Sequence, residues 1–173
     1  MKRTILIPTD FSIESLIPVK QAALLNYNDI EIVLMYCSLL PGSITDLLFY
    51  SPAKLIEQHS NKEFEKACSI ILNKYASKIT ALRIEVFHGT TDAAFDNFVT
   101  GNKIDEIIFP KSYTLKERKN GFNPLPYIKN SLLPCREAEW KVNNQHETAS
   151  LSTLFMEGMN SRTIKLVDYV TQK

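Results

Sequence analysis

Dense apolar runs alternate along this chain with stretches whose apolar residues recur at three- and four-residue steps. Thr4 to Pro8 carries Ile5, Leu6 and Ile7 without a polar interruption and then stops in the turn Thr9-Asp10-Phe11-Ser12. A run of this kind suits a central strand covered on both faces. Ile30 to Cys37, centred on Ile32-Val33-Leu34-Met35, and Ile104 to Phe109 read the same way. Leu82, Ile84 and Val86 instead alternate with Arg83 and Glu85, and Ala138, Trp140 and Val142 with Glu137, Glu139 and Lys141. Alternation predicts half-exposed strands at or near sheet edges.

The intervening stretches predict helices. Leu16, Val19, Ala23 and Tyr27 share one helical face, and Pro18 decides the cap. With Ser15 as cap the proline falls in the first turn, where its missing N–H is not needed, whereas with Ser12 it would break an interior hydrogen bond. Ser51-Pro52 predicts the start of a long helix with the stripe Phe64, Cys68, Ile71 and Tyr75, running to about Lys78. His88 to Asp92 predicts a turn and cap, and Ala94, Phe95, Phe98 and Val99 a short helix closed by Gly101-Asn102. Strand and helix alternating in this way predict a parallel sheet with right-handed crossovers.

Three regions are less regular. Ser38 to Tyr50 holds the turn Pro41-Gly42 and the apolar Leu47-Leu48-Phe49-Tyr50, expected to pack down over the domain, with a lid or partner surface as the second reading. Residues 110–134 are rich in turn formers and allow a short helix around Tyr127 to Leu133. Beyond Asn143, Leu151 to Met159 allows a helix, and Thr163 to Thr171 fits helix and strand periodicity alike. The expected organisation is one domain over residues 1–143 and a C-terminal extension over 144–173.

Composition narrows the classes without choosing among them. The 173 residues suit a single core, and 45% hydrophobic with 23% charged residues is ordinary globular usage. A net charge of +1, with no aromatics interleaved in the basic loop, argues against nucleic acid. No apolar stretch approaches the roughly 18 residues of a membrane span. Cys37, Cys68 and Cys135 are far apart, with no zinc-like spacing, so neither a disulfide framework nor a metal site is expected. With no leader-like apolar segment after Met1-Lys2-Arg3, the cytoplasm is the default address. His59, His88 and His146 form no motif with Ser, Cys or Asp, so no catalytic residue is assigned and no enzyme is expected.

The opening Ile-Leu-Ile-Pro-Thr-Asp-Phe-Ser, Gly89 after the third strand and the acidic-then-apolar Asp105-Glu106-Ile107-Ile108-Phe109 resemble the universal stress protein family over roughly Lys2 to Asn143. The resemblance implies a doubly wound, five-stranded parallel sheet with helices on both faces, of the adenine nucleotide alpha hydrolase-like type. It also implies a homodimer joined through the fifth strand, about Glu137 to Val142. The extension from Asn144 offers either a cover for that edge in cis or an arm around a second subunit. Some members bind ATP. In those, Asp10 matches the position that contacts the base, and Met35 matches a neighbouring position after the second strand.

The phosphates in such members lie on a loop similar to G-x2-G-x9-G-[ST], whose glycines let backbone N–H groups close around the anion. On that pattern the glycine positions fall here on Pro110, Tyr113 and Asn123, and the hydroxyl position on Pro124. Two of these residues have no N–H, and Tyr113 is bulky. The expectation is therefore a stress-protein-like domain that takes no cofactor, does not hold ATP in the family manner, and acts through dimerisation or a partner. The alternative is a rebuilt anion site in which Lys111, Lys116, Arg118 or Lys119 replaces the backbone donors.

Overall fold

The structure, a computed structural model, describes residues 2–111, 115–116 and 120–138 and the backbone of 167–169. Five parallel strands form the sheet: β1 (Lys2–Pro8), β2 (Asp29–Cys37), β3 (Ile79–Phe87), β4 (Glu106–Pro110) and β5 (Cys135–Ala138). A short β6 (Val167–Tyr169) adds antiparallel to β5, giving the order β3-β2-β1-β4-β5-β6. Strand order reverses between β1 and β4, so the carboxyl ends of these two strands frame the crevice in which open α/β sheets take their ligands.

Strict alternation along the buried strands builds two cores. Ile5, Ile7, Ile30, Ile32, Leu34 and Ile108 face one side and pack with Leu16, Val19, Phe64 and Ile71. Leu6, Val33, Met35, Ile107 and Phe109 face the other and pack with Phe95, Val99 and Ile128. The first side is covered by α1 (Ile17–Leu24), α3 (Pro52–His59) and α4 (Lys62–Lys74), the second by α5 (Asp92–Gly101) and α6 (Leu125–Asn130). The short α2 (Ile44–Leu48) buries none of its residues. Among the described residues no helix is long and apolar enough to cross a membrane.

Four expectations need correction. The predicted helix from Ser51 to Lys78 is two helices, because Ser60 is extended and the Asn61 side chain accepts a hydrogen bond from the Phe64 N–H at 2.8 Å, starting α4 afresh. Ser15 does not cap the first helix. Its hydroxyl is engaged with Ser12 and Thr9, a single 3₁₀ turn (Glu14–Leu16) intervenes, and α1 starts from Leu16 with Pro18 in its first turn. The fifth strand begins earlier than its alternation suggested, since Ile107 N–H donates to the Pro134 carbonyl and sets the register from Cys135, while Trp140 and Val142 lie outside the described residues. The apolar loop does not pack down: Leu39, Leu40, Ile44, Leu47, Leu48 and Phe49 are all exposed.

Gly89 is explained by space alone. A Cβ there would lie 2.5 Å from the Ala94 Cβ and 2.7 Å from the Phe87 ring, far inside contact distance, so only glycine lets the start of α5 close on β3. At the opposite end of the sheet, buried Glu106 accepts hydrogen bonds from the Tyr27 hydroxyl at 3.0 Å and from Arg136 Nε. The carboxylate is thereby paired and hydrogen-bonded, as a buried charge must be.

Candidate functional site

The turn that follows β1 is built from short polar side chains that satisfy one another. Ser15 donates its one hydroxyl proton to the Ser12 carbonyl at 2.8 Å, so in the 2.7 Å contact with Thr9 it accepts, and Thr9 is the donor. Thr9 Oγ1 in turn accepts from the Phe11 N–H at 3.1 Å. This bracing holds Phe11 at φ 61°, in the left-handed region that bulky residues avoid at a cost on the order of 1–2 kcal/mol. The ring offsets that cost by burying itself against Tyr36, with centroids 5.0 Å apart, and Phe64, at 5.4 Å.

Asp10, beside it, is only 3% exposed. Its Oδ1 accepts from the Ser12 N–H at 3.0 Å and the Ser12 hydroxyl at 2.6 Å, and its Oδ2 accepts from the Lys116 N–H at 2.9 Å. A carboxylate offers about four acceptor sites, and the chain itself uses at least three of them. The third donor comes from the segment between β4 and α6, which thereby crosses the end of β1.

The same segment is tied to β2. Leu39 N–H donates to the Asn120 carbonyl at 2.7 Å, and Ser38 and Gly121 form an antiparallel bridge. Asn120 takes φ 65°, which asparagine tolerates, and turns the chain so that Phe122 lands on Phe87 and Tyr127 with centroids 5.9 and 6.1 Å away. Between the strand ends and this segment remains a void of about 10 Å³, lined by Asp10, Met35, Tyr36, Lys116, Phe122 and Pro124 among others. That is room for about one water.

The residues at the family's glycine positions have other tasks here. Pro110 is the buried last residue of β4. Asn123 accepts the Leu125 N–H at 3.0 Å through its side chain, and Pro124 precedes α6. Tyr113 lies outside the described residues, as do Arg118 and Lys119. Asp10 and Met35 come together at the void, whereas Lys111 and Lys116, the two basic candidates among the described residues, do not gather. Lys111 Nζ lies 3.9 Å from Glu137 of β5, and Lys116 contributes a backbone N–H to Asp10 while its side chain faces water. Among the described residues no group of His, Cys, Asp and Glu could hold a metal ion. Burial pushes the Cys68 thiol up to about 12 and Cys135 to about 11, and Cys37 well above its usual value. None is poised as a nucleophile.

The role of His88 was missed by sequence reasoning. Its Nδ1 lies 2.6 Å from the Ser38 carbonyl oxygen and its Nε2 2.6 Å from the Tyr50 hydroxyl. A carbonyl only accepts, so Nδ1 carries a proton, and in the neutral ring Nε2 accepts from Tyr50. This pins the far end of the apolar loop to the ends of β2 and β3. The signal in the sequence was merely a histidine in a turn.

The outer edge of β5, nominated for dimer pairing, is taken by β6 of the same chain from Cys135 to Glu137. Pairing about Glu139 lies outside the described residues. Searched by sequence, the chain matches no family model and no curated protein. Solved structures do match. One is universal stress protein UspA from Lactobacillus plantarum, 14% identical over 80% of this chain and 97% of that one, with a TM-score of 0.51. Another is the hypothetical protein PH0823, 15% identical over 82% of this chain and 99% of that one, at 0.50. At such low identity the likeness speaks for architecture, and it establishes that this chain has the α/β fold of a universal stress protein.

Proposed function

We propose that this chain is a universal-stress-protein-type domain that performs no catalysis, does not hold ATP as nucleotide-binding members of that family do, and acts in a stress response through dimerisation or a protein partner. One observation carries the reading: three donors of the chain itself engage the Asp10 carboxylate, one of them from the segment lying where a nucleotide would enter. A base seeking Asp10 must displace the Lys116 N–H and lift a segment anchored at Leu39, Ser38 and Phe87. Pro110 and Pro124, having no N–H, give the phosphates no compensating donors.

Calorimetric titration with ATP and Mg²⁺ tests this. No saturable binding in the micromolar range is expected, and micromolar binding would overturn the reading. If such binding disappears in Lys111→Ala/Lys116→Ala, a rebuilt basic site replaces it as the function. Mass measurement in solution addresses the assembly, and a monomer persisting at high concentration would eliminate dimerisation and leave the protein partner.

A further inference from the structure

The sheet ends on two unlike edges. On one side the three-residue β6 runs beside β5; on the other stands β3, nine residues long, and among the described residues no strand pairs with its outer side. An edge of this length is a template for another chain unless proline, a bulge or a cover blunts it. Ala81 to Phe87 contains neither proline nor glycine, and the one register shift against β2 lies before Ala81. Phe87 turns its carbonyl to the Ser38 N–H on the β2 side. By alternation Leu82, Ile84 and Val86 turn their N–H and C=O groups outward.

We propose that β3 joins two copies of this chain, paired antiparallel across a two-fold axis at Ile84 so that the two sheets become one. This rests on the reading that the chain acts through dimerisation, and it places the contact on β3 instead of β5, whose outer edge β6 occupies. Symmetry limits the registers. An axis that joins two identical edges antiparallel stands normal to the sheet, and one residue must face its own copy. With Arg83 or Glu85 on the axis, like charges meet; with Leu82 or Val86 on it, both charged residues face uncharged ones. Ile84 alone sets Arg83 of each copy against Glu85 of the other.

The remaining pairs agree with that register. The outward-turned residues become the hydrogen-bonded pairs, Ile84 with Ile84 and Leu82 with Val86, and all three pack their side chains against the first core. Arg83 and Glu85 become the non-hydrogen-bonded pair, in which cross-strand side chains lie closest. Of the five N–H donors of a guanidinium, Arg83 uses four within its own chain, on Glu31, Glu85 and Asn102. The fifth has no acceptor among the described residues and is supplied with one by Glu85 of the second copy. Two arginines and two glutamates then close a ring of alternating charge across the axis.

Sedimentation equilibrium of the full chain tests this. Wild type is expected to dimerise, and Glu85→Arg and Arg83→Glu each to weaken the dimer about tenfold or more, because every cross-strand charge pair becomes a like pair. An equimolar mixture of the two variants is expected to restore the dimer, and native mass spectrometry to show one chain of each variant in it. Circular dichroism establishes folding, and Glu85→Arg decides alone if Arg83→Glu, which also loses its bond to Glu31, does not fold. A wild-type dimer that Glu85→Arg leaves unchanged, or a mixture of folded variants that stays monomeric, overturns the β3 contact and leaves dimerisation through another surface standing. A wild type that stays monomeric at high concentration overturns both.

Discussion

The carboxyl ends of β1 and β2 lie side by side and are finished in opposite ways. After β1 the chain turns through Thr9 to Ser12 with its polar groups paired and the Phe11 ring buried. After β2 it runs into Leu39 to Phe49 with its large apolar groups in water. At the first, donors and acceptors that would otherwise face a ligand are paired with one another through Asp10, Thr9 and Ser15. The second is held to the fold at its ends, through Ser38 and Tyr50, and leaves its middle for something else to cover.

The contrast is sharpest between two phenylalanines. Phe11→Ala should cost about 3–5 kcal/mol by opening a cavity between Tyr36 and Phe64. Phe49→Ala should cost no more than about 1 kcal/mol, since no core surrounds it. Urea unfolding measures both, and equal losses would erase the distinction between the two strand ends. Next in size, Asp10→Ala should cost about 2–3 kcal/mol by leaving the Lys116 and Ser12 donors without their acceptor, with faster tryptic cleavage at Lys116. Asp10→Asn, which keeps one acceptor oxygen, should fall between. Proteolysis at the wild-type rate in Asp10→Ala would show that the crossing segment is held by other contacts.

At the second mouth, Tyr50→Phe removes the hydroxyl that reaches His88 and should cost about 0.5–1 kcal/mol. The His88 ring ¹⁵N shifts should change while the Ser38 bond persists, and an unchanged spectrum would remove this tether from the account. The smallest effect lies at the amino end of the sheet and serves as a control for both mouths. Hydrogen bonds from Lys2 and Arg83 hold the Glu31 carboxyl below its usual value. A carboxyl depressed in the folded state stabilises the fold above its ordinary value of 4.5, and that contribution is lost as pH falls through the folded value. Because Lys2 is largely in water, the effect should stay under about 1 kcal/mol. Glu31→Gln should therefore lose less stability than wild type between about pH 6 and about pH 3, and an identical loss would rule this pair out as an acid-sensitive element.

The fold was legible because β1, β2 and β4 are buried on both faces and had to be written as unbroken apolar runs, while the sheet-edge β3 had to alternate. The loss of the glycine positions was legible for a related reason, since proline and tyrosine announce their constraints in their side chains. The crossing of the β1 end by the segment at Lys116 was not. Its key bond is donated by the backbone of Lys116, and any residue but proline offers the same N–H there. The break at Ser60-Asn61 escaped because Leu55 and Phe64 keep an apolar pattern running through it, and only the Asn61 cap shows that the axis changes. The exposure of α2 escaped because an apolar run reports what a chain can bury, and the sheet faces nearby were already filled by α3, α4 and α5.

The strand order also has a consequence during synthesis. Thr4 exchanges two hydrogen bonds with Asp105, 101 residues later, and Asp10 meets Lys116 across 106 residues. Ribosomes add about 5–20 residues per second, so β1 is complete some 5–20 seconds before the strand that belongs on its far edge exists. Throughout that interval Ile5-Leu6-Ile7 presents an open strand edge, the condition in which an unpaired apolar strand is most prone to pair with the wrong partner.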